Sequence, residues 1–317
     1  VKLKTELDGR MFPVTDNSQT IIDCLLQQAS RFGVEIKLQH DVQRLMPRQS
    51  FFELECRNDI KIRANHVLLA TGGHPKLTGY QWLSDLGFKV VPPVPSLFTF
   101  NLTDEAIKKL MGVSVGRVRV RLPELKKEQF GPLLITHWGF SGPAVLRLSA
   151  LVARELEACH YRFRVQVSWL PDETPESLRA LFEDYRLYAG AAQVANRLEV
   201  DLPARLRYYL LEQAGINPQQ RWSEVNNKQM NRLVELLTNQ QFEARGKTTF
   251  KEEFVTAGGI DRSEIDFRSM ESKRYPGLYL AGELLDIDAL TGGFNFQAAW
   301  SAGFVAAADL AAKQAEK

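Results

Sequence analysis

Cysteine is scarce in this chain. Cys24, Cys56 and Cys159 are scattered over 317 residues with no C-x-x-C pair, which excludes a disulfide framework and a redox dithiol and fits a reducing, cytoplasmic setting. The five histidines show no metal-ligand spacing, so no metal site is expected. No run of about 18 apolar residues occurs, so no membrane-spanning helix and no membrane partner are expected. Charge of one sign is lacking too: a formal net charge of +2 forces no conclusion about polyanionic partners. There is no G-x-G-x-x-G loop, no internal repeat and no low-complexity segment. What is there is 44% hydrophobic and 25% charged residues, the composition of a folded globular chain. Its length suffices for one large core or a few smaller ones.

Two short apolar runs end in small residues. His66-Val67-Leu68-Leu69-Ala70-Thr71-Gly72-Gly73 is one, and Gly277-Leu278-Tyr279-Leu280-Ala281-Gly282-Glu283 is the other. Both read as buried strands. Glycines after a strand let the backbone pass close to a ligand with no side chain in the way. A strand that ends in Gly282-Glu283 places a carboxylate where a ribose or ribityl hydroxyl needs an acceptor. Leu290-Thr291-Gly292-Gly293-Phe294-Asn295 then reads as a glycine turn feeding a helix, whose start aims unpaired N–H groups and partial positive charge at an anionic group in front of it. An ordinary strand, loop and helix of an α/β domain fits these residues equally well.

Along the chain, Ser18 to Phe32 reads as a helix with an apolar stripe of Ile21, Ile22, Leu25, Leu26 and Ala29, stopped by Gly33. Val34 to Leu38 and Asp41 to Leu45 read as strands, and Phe51 to Arg57 with Ile60 to Arg63 as a hairpin across Asn58-Asp59. Pro92-Pro93-Val94-Pro95 reads as a stiff exit from the first domain. Beyond it, Tyr161 to Trp169 alternates apolar and polar residues as a half-buried strand does. In Val113 to Leu122 the alternation changes parity at Gly116-Arg117, which predicts a bulge or strand break. Pro143 to Glu157 reads as a helix with Ser141 as a candidate N-cap. From Thr174 to about Lys247 the pattern is helical and amphipathic.

Five motifs carry a resemblance over essentially the whole chain. They are Asp8-Gly9-Arg10-Met11-Phe12-Pro13-Val14, the Ala70-Thr71-Gly72-Gly73 strand end, Gly131 to Pro143 with its Thr136-His137-Trp138-Gly139-Phe140-Ser141-Gly142-Pro143 segment, Val255-Thr256-Ala257-Gly258-Gly259 with Met270-Glu271-Ser272-Lys273, and Gly277 to Glu283 with the glycine turn after it. In this order they resemble the BaiN/RdsA-type FAD-dependent oxidoreductases, which have the glutathione-reductase type of FAD fold. The resemblance implies an α/β chain: a truncated FAD-binding Rossmann-like domain interrupted by a β-rich, barrel-like, plus helical insert. It divides the chain into 1–93, first part of the FAD domain; 94–171, β-rich insert; 172–249, helical subdomain; and 250–317, C-terminal part of the FAD domain. The family opens with a strand, a G-x-G-x-x-G loop and a helix. Their absence here leads to the expectation of a fragment.

The resemblance implies FAD as cofactor and hydride transfer through flavin N5. Glu283, following Gly282, is expected at a ribityl hydroxyl, and Gly292, Gly293, Phe294 and Asn295 at the pyrimidine edge of the flavin. Ala70, Thr71 and Gly72 are expected near the pyrophosphate or adenosine, and Val42 at the adenine. Arg10 and His137 are the candidate catalytic residues. A guanidinium at Arg10 would hold a carboxylate, phosphate or carbonyl, and an imidazole at His137 would donate a proton. A surface turn for Arg10 and a structural role for His137 are the plain alternatives. NAD(P)H, if used, would bind transiently. The family has been linked to reduction of a uridine in large-subunit ribosomal RNA to dihydrouridine. Between Ile107 and Lys127 there are seven Lys/Arg and one acid, and Arg117, Arg119 and Arg121 would share one face of a strand, a footprint suited to ribosomal RNA phosphates. A solvated outer face explains the same stripe. A small-molecule oxidase or reductase, acting on amines or unsaturated rings, and a non-enzymatic remnant are the alternatives.

Overall fold

The computed structural model describes residues 1–6, 9–248 and 255–315. Asp8 of the first motif and the expected boundary at 249/250 lie outside the described residues. The chain forms two compact units. One is Val1–Val91 with Gly259–Ile287 and Gly292–Lys317; the other is Pro92–Gly258 with Asp288–Thr291.

In the first unit the two apolar runs become strands Val67–Leu69 and Leu278–Leu280, paired in parallel with Leu278 beside Val67 and Leu280 beside Leu69. Glu271–Ser272 and Ile265–Asp266 extend this sheet in antiparallel fashion. Leu278, Tyr279 and Leu280 are all buried, and their packing partners include Tyr80, Leu83 and Leu285. A second sheet joins Val42–Pro47, Phe52–Cys56 and Lys61–Ala64, with a turn at Arg57–Asp59 as the hairpin reading requires. The closing helix, Phe294–Ala315, is tied to the first sheet by charge. The Lys313 ammonium donates to Glu271 at 2.6 Å and pairs with Asp309 at 2.8 Å, and the Tyr279 hydroxyl donates to Asp309 at 2.8 Å. Partial burial works to lower the Lys313 pKa, but the two carboxylates outweigh it and hold the group above its ordinary value.

Helix Gln19–Arg31 forms where the stripe predicts it, and Gly33 at φ +68° closes it in a Schellman arrangement, with Val34 N–H donating to Ala29 O at 2.9 Å. None of its residues is buried, so the stripe faces outward. Val34 to Leu38 is not a strand. Val34, Ile36 and Leu38 are exposed, and alternation alone does not make a strand where no neighbouring strand among the described residues pairs with it.

The second unit contains a closed six-stranded antiparallel barrel. Its order is Lys127–Ile135, Gly139–Ser141, Thr99–Leu102, Gln240–Thr248, Arg162–Ser168 and Ser114–Leu122, which returns to the first. Val165 and Val167 point inward and are fully buried, while Arg162 and Arg164 are exposed, as the alternation demands. The parity change at Gly116-Arg117 is a bulge: Val118 faces Gly131 but Val115 faces Leu133, so two residues oppose one. Helix Asn227–Asn239 packs on the barrel strands, and helices Pro175–Tyr188 and Ala204–Gln213 pack on it in turn. Thr174 with Ser177 and Asn226 with Gln229 form reciprocal caps at two of their starts. Barrel and helices share one apolar core that runs from Phe98 to Ala244 and includes Trp169, Phe182, Trp222 and Leu233.

Three sequence readings need correction in this unit. The helical pattern read from Thr174 to about Lys247 ends at Asn239, because Gln240–Thr248 is a barrel strand. Pro92-Pro93-Val94-Pro95, read as a stiff exit from the first domain, stands where the second unit begins and is part of strand Val90–Ser96, which pairs with Val255–Ile260. A two-stranded sheet has only edges, where proline's missing N–H is tolerated. Pro143 to Glu157 is two helices, Pro143–Leu151 and Ala153–Ala158, because Val152 leaves helical geometry at φ −133° and buries its side chain in the core. The N-cap of the first is Gly142, with no side-chain cap, while Ser141 ends a barrel strand and its hydroxyl accepts from Thr99 at 3.2 Å.

Tyr209, 5% exposed, accepts a hydrogen bond from Gln240 at 3.1 Å. Burial first, then the charge of Asp104, push its phenol from 10.0 up to about 12. The unfolded phenol ionises near its ordinary value while the folded one keeps its proton, so the unfolded chain binds fewer protons and stability falls as pH rises through that window. Tyr209→Phe should reduce the loss of unfolding free energy between pH 10 and 12, measured by urea titration at each pH. An alkaline profile identical to the parent's would remove Tyr209 from the account.

Candidate dinucleotide site

The two parallel strands end side by side. Ala281 N–H donates to Leu69 O at 2.9 Å, and beyond that point both chains leave the sheet at its carboxyl edge. That edge is where α/β folds place ligands. Ala70 and Thr71 are exposed there, and Gly72 turns at φ +76° with open space around it. Gly73 has no such room: a Cβ on it would stand 3.0 Å from Glu283 Oε1. The Glu283 carboxylate therefore lies directly against the bare backbone of Gly73. Tyr80, 1% exposed, accepts the His74 N–H at 2.8 Å beside them. Burial raises its phenol pKa, the His74 N–H opposes this, and the charge of Glu283 raises it further. Sequence reasoning missed Tyr80, because nothing in its neighbourhood of residues marks it.

The turn Gly282–Leu284 is clamped from two sides. Strand Val255–Ile260 passes so close that a Cβ on Gly259, at φ +134°, would fall 2.5 Å from Leu284 O. Asp286 N–H donates to Ile260 O at 2.9 Å in the same contact. On the other side helix Phe294–Ala315 packs against the turn, with the Ala299 methyl 3.7 Å from a Cβ placed on Gly282. Gly259 of the Val255–Gly259 motif thus has a steric reason: its bare backbone lets the strand pass against the turn that carries Glu283.

The same helix begins at the glycine turn. Gln297 N–H donates to Gly293 O at 3.0 Å, so Gly293 takes the cap position and the positive end of the helix dipole lies at this turn. Gly292 and Gly293 have φ of +129° and +88°, and nothing lies within 4 Å of a Cβ on Gly293. Phe294 is exposed and Asn295 half-buried. A carboxylate acceptor, a bare backbone and a helix start are a donor and acceptor set that fits a dinucleotide: hydroxyls on Glu283 and anionic edges at the helix N-terminus.

The remaining candidates lie elsewhere. Val42 opens strand Val42–Pro47, opposite Cys56 in the three-stranded sheet. Arg10 follows Gly9 in the hairpin of Leu3–Thr5 and Met11–Pro13, with its guanidinium 5.5 Å from the Phe12 ring centre. His137 belongs to the other unit, exposed in a tight turn with its ring 4.6 Å from that of Trp138. Thr136 Oγ1 shapes that turn, accepting the N–H groups of Trp138 and Gly139 at 3.2 Å. Arg117, Arg119 and Arg121 lie on the outward face of strand Ser114–Leu122, Arg117 already paired with Asp172 at 3.1 Å. No helix of the described residues is long and apolar enough to cross a membrane.

Comparison with known proteins places these features in a family. The chain is 30% identical over 315 residues to the ribosomal RNA dihydrouridine synthase of Escherichia coli, an alignment covering 96% of this chain and 74% of that protein. It is 29% identical to the protein of the same name in Haemophilus influenzae, over 94% of this chain and 74% of the relative. It is 27% identical to the 3-dehydro-bile acid delta(4,6)-reductase of Clostridium scindens, with the same two coverages. The family model described as the HI0933-like protein Rossmann domain matches residues 1–309, and the chain belongs to that family.

Proposed function

We propose that this chain forms part of an FAD-dependent oxidoreductase that reduces a uridine of large-subunit ribosomal RNA to dihydrouridine. The observation that carries the redox reading is the Glu283 carboxylate lying against Gly73 at the shared end of the two parallel strands. Glu283 would accept a ribityl hydroxyl, the glycines at 72 and 73 would let a dinucleotide backbone pass, and the helix start at Gly293 would face the electron-rich edge of the ring. When bound, FAD would supply hydride transfer at N5. The RNA reading is supported by the names of two relatives and by Arg119 and Arg121, which form no ion pair among the described residues. The third relative's name favours a second reading, reduction of an unsaturated ring in a small molecule. His137 or Arg10 would hold or protonate the substrate in either case.

Because this sequence has no G-x-G-x-x-G loop, the purified chain should bind FAD weakly. Glu283→Ala should weaken it further by about ten- to hundredfold, the worth of one charge-assisted hydrogen bond at roughly 1.5–3 kcal/mol. His137→Ala should leave FAD affinity within about twofold, since a proton donor is not a cofactor ligand. Flavin fluorescence titration of the three proteins decides the assignment, and equal affinities in the two variants would sink it. Supplying reductant with either a uridine-containing ribosomal RNA fragment or an unsaturated steroid ketone separates the two substrate readings.

A further inference from the structure

The register of the barrel sets two arginines directly opposite each other. Arg162 of strand Arg162–Ser168 faces Arg245 of strand Gln240–Thr248, both exposed. Like charges in directly opposed positions destabilise a sheet. Their neighbours relieve this only in part. Arg245 has Glu243 at 3.7 Å, whereas Arg162 forms no ion pair among the described residues. On the next outward pair, Arg164 faces Glu243 and is bonded to Glu124. Burial works to raise the Glu124 carboxyl, and the Arg164 guanidinium more than offsets it. The adjoining strand Ser114–Leu122 adds Arg121 beside Gln166 and Arg119 beside Ser168. Three neighbouring strands thus turn arginine outward while Val118, Val120, Val165, Val167 and Ala244 fill the interior.

The opposed pair lines a cavity of about 450 Å³. Leu122, Leu125, Leu156 and Phe163 supply its apolar wall; Glu124 and Glu243, each near an arginine already, line it as well, and Glu155 lines it with no ion-pair partner among the described residues. A cation pair beside an apolar recess suits a ligand with an anion at one end and a flat apolar face at the other. Base faces stack on such walls and phosphates bind arginine forks.

We infer that Arg162 and Arg245 together seat one phosphodiester of a single-stranded RNA segment, with the adjacent base in the recess against Phe163. This rests on the RNA reading above and names where the strand is gripped. The stripe at Arg119 and Arg121 then continues the track. Arg117, bound to Asp172, lies outside it.

The test uses the full chain and a fluorescent single-stranded RNA containing uridine, with anisotropy measured over a salt series. Each phosphate contact on a single strand contributes a slope of about −0.7 in log affinity against log salt. The double variant Arg162→Gln with Arg245→Gln should flatten the slope by about 0.7 to 1.4. The double lysine variant should recover most of it, and Arg179→Gln, on a helix and bonded to Asn231, should not change it. Glu155→Gln should tighten binding by removing a repelling charge. Parent and glutamine variant with the same slope overturn the seat while leaving the RNA reading standing. Arginine-dependent RNA binding, with reduction of an unsaturated steroid ketone but not of uridine in the presence of FAD and reductant, overturns the RNA-substrate reading and keeps the seat. Absence of salt-dependent RNA affinity in the parent overturns both. Uridine monophosphate bound as tightly as the RNA would mean a free-nucleotide site and also overturns the inference.

Discussion

Replacing Gly139 by valine will abolish most of the stability of the barrel unit. Gly139 sits at φ +148°, and a Cβ there would fall 2.3 Å from Phe100 O and 2.8 Å from Leu102 N. Both are main-chain atoms of strand Thr99–Leu102, to which Gly139 is paired opposite Asn101. Leu102 N–H donates to Trp138 O at 2.9 Å in the same contact, so the strands cannot separate without losing ladder bonds. The loss should exceed about 4 kcal/mol, the range reserved for steric conflict with no route of relief. Gly116→Ala is the control: nothing lies within 4 Å of its Cβ, and the change should stay within about 0.5 kcal/mol. Urea unfolding of the two variants at equal slope reads the difference directly. A Gly139→Val protein as stable as the parent would mean the strands are not so closely apposed.

Trp169→Ala should cost about 3–5 kcal/mol for the lost ring alone. Trp169 is fully buried, its ring edge-on to Phe140 at 6.0 Å. Its indole N–H donates to Gln240 Oε1 at 2.7 Å, and the amide of Gln240 donates onward to the Tyr209 hydroxyl at 3.1 Å. Truncation strands a buried amide oxygen as well, which adds about 1–3 kcal/mol. Trp169→Phe keeps most of the apolar volume but leaves Gln240 unpaired, so its stability should fall between parent and alanine. Thermal and urea unfolding should rank the three in that order. Equal losses in the phenylalanine and alanine variants would assign the effect to the hydrogen bond rather than to the ring.

Local patterns were readable wherever one face of an element meets the core. Val165 and Val167 alternate with arginines because the barrel has an inside and an outside, and the bulge shows in the sequence as a change of parity at Gly116. Gly292 and Gly293 announce a helix start because few other residues take those dihedral angles. Readings failed where the decision belonged to distant residues. Val34 to Leu38 has the alternation of a strand, but strand formation needs a neighbour that the pattern does not supply. Val152 breaks a helix that every local signal continues, because the core takes its side chain. The contact of Glu283 with Gly73, and the opposition of Arg162 and Arg245, join residues far apart along the chain. No spacing rule reaches across such distances.

The bulge at Gly116-Arg117 also bears on how the barrel can change in length. Elsewhere along these strands, inserting or deleting one residue reverses the facing of every side chain beyond it. Here the extra residue already absorbs such a reversal. With Gly116 removed, Val115, Arg117 and Val118 would alternate in-out-in without interruption, and Arg117 would stand opposite Pro132. At this position the barrel wall can lose one residue while the valines stay inside and the arginines stay in water.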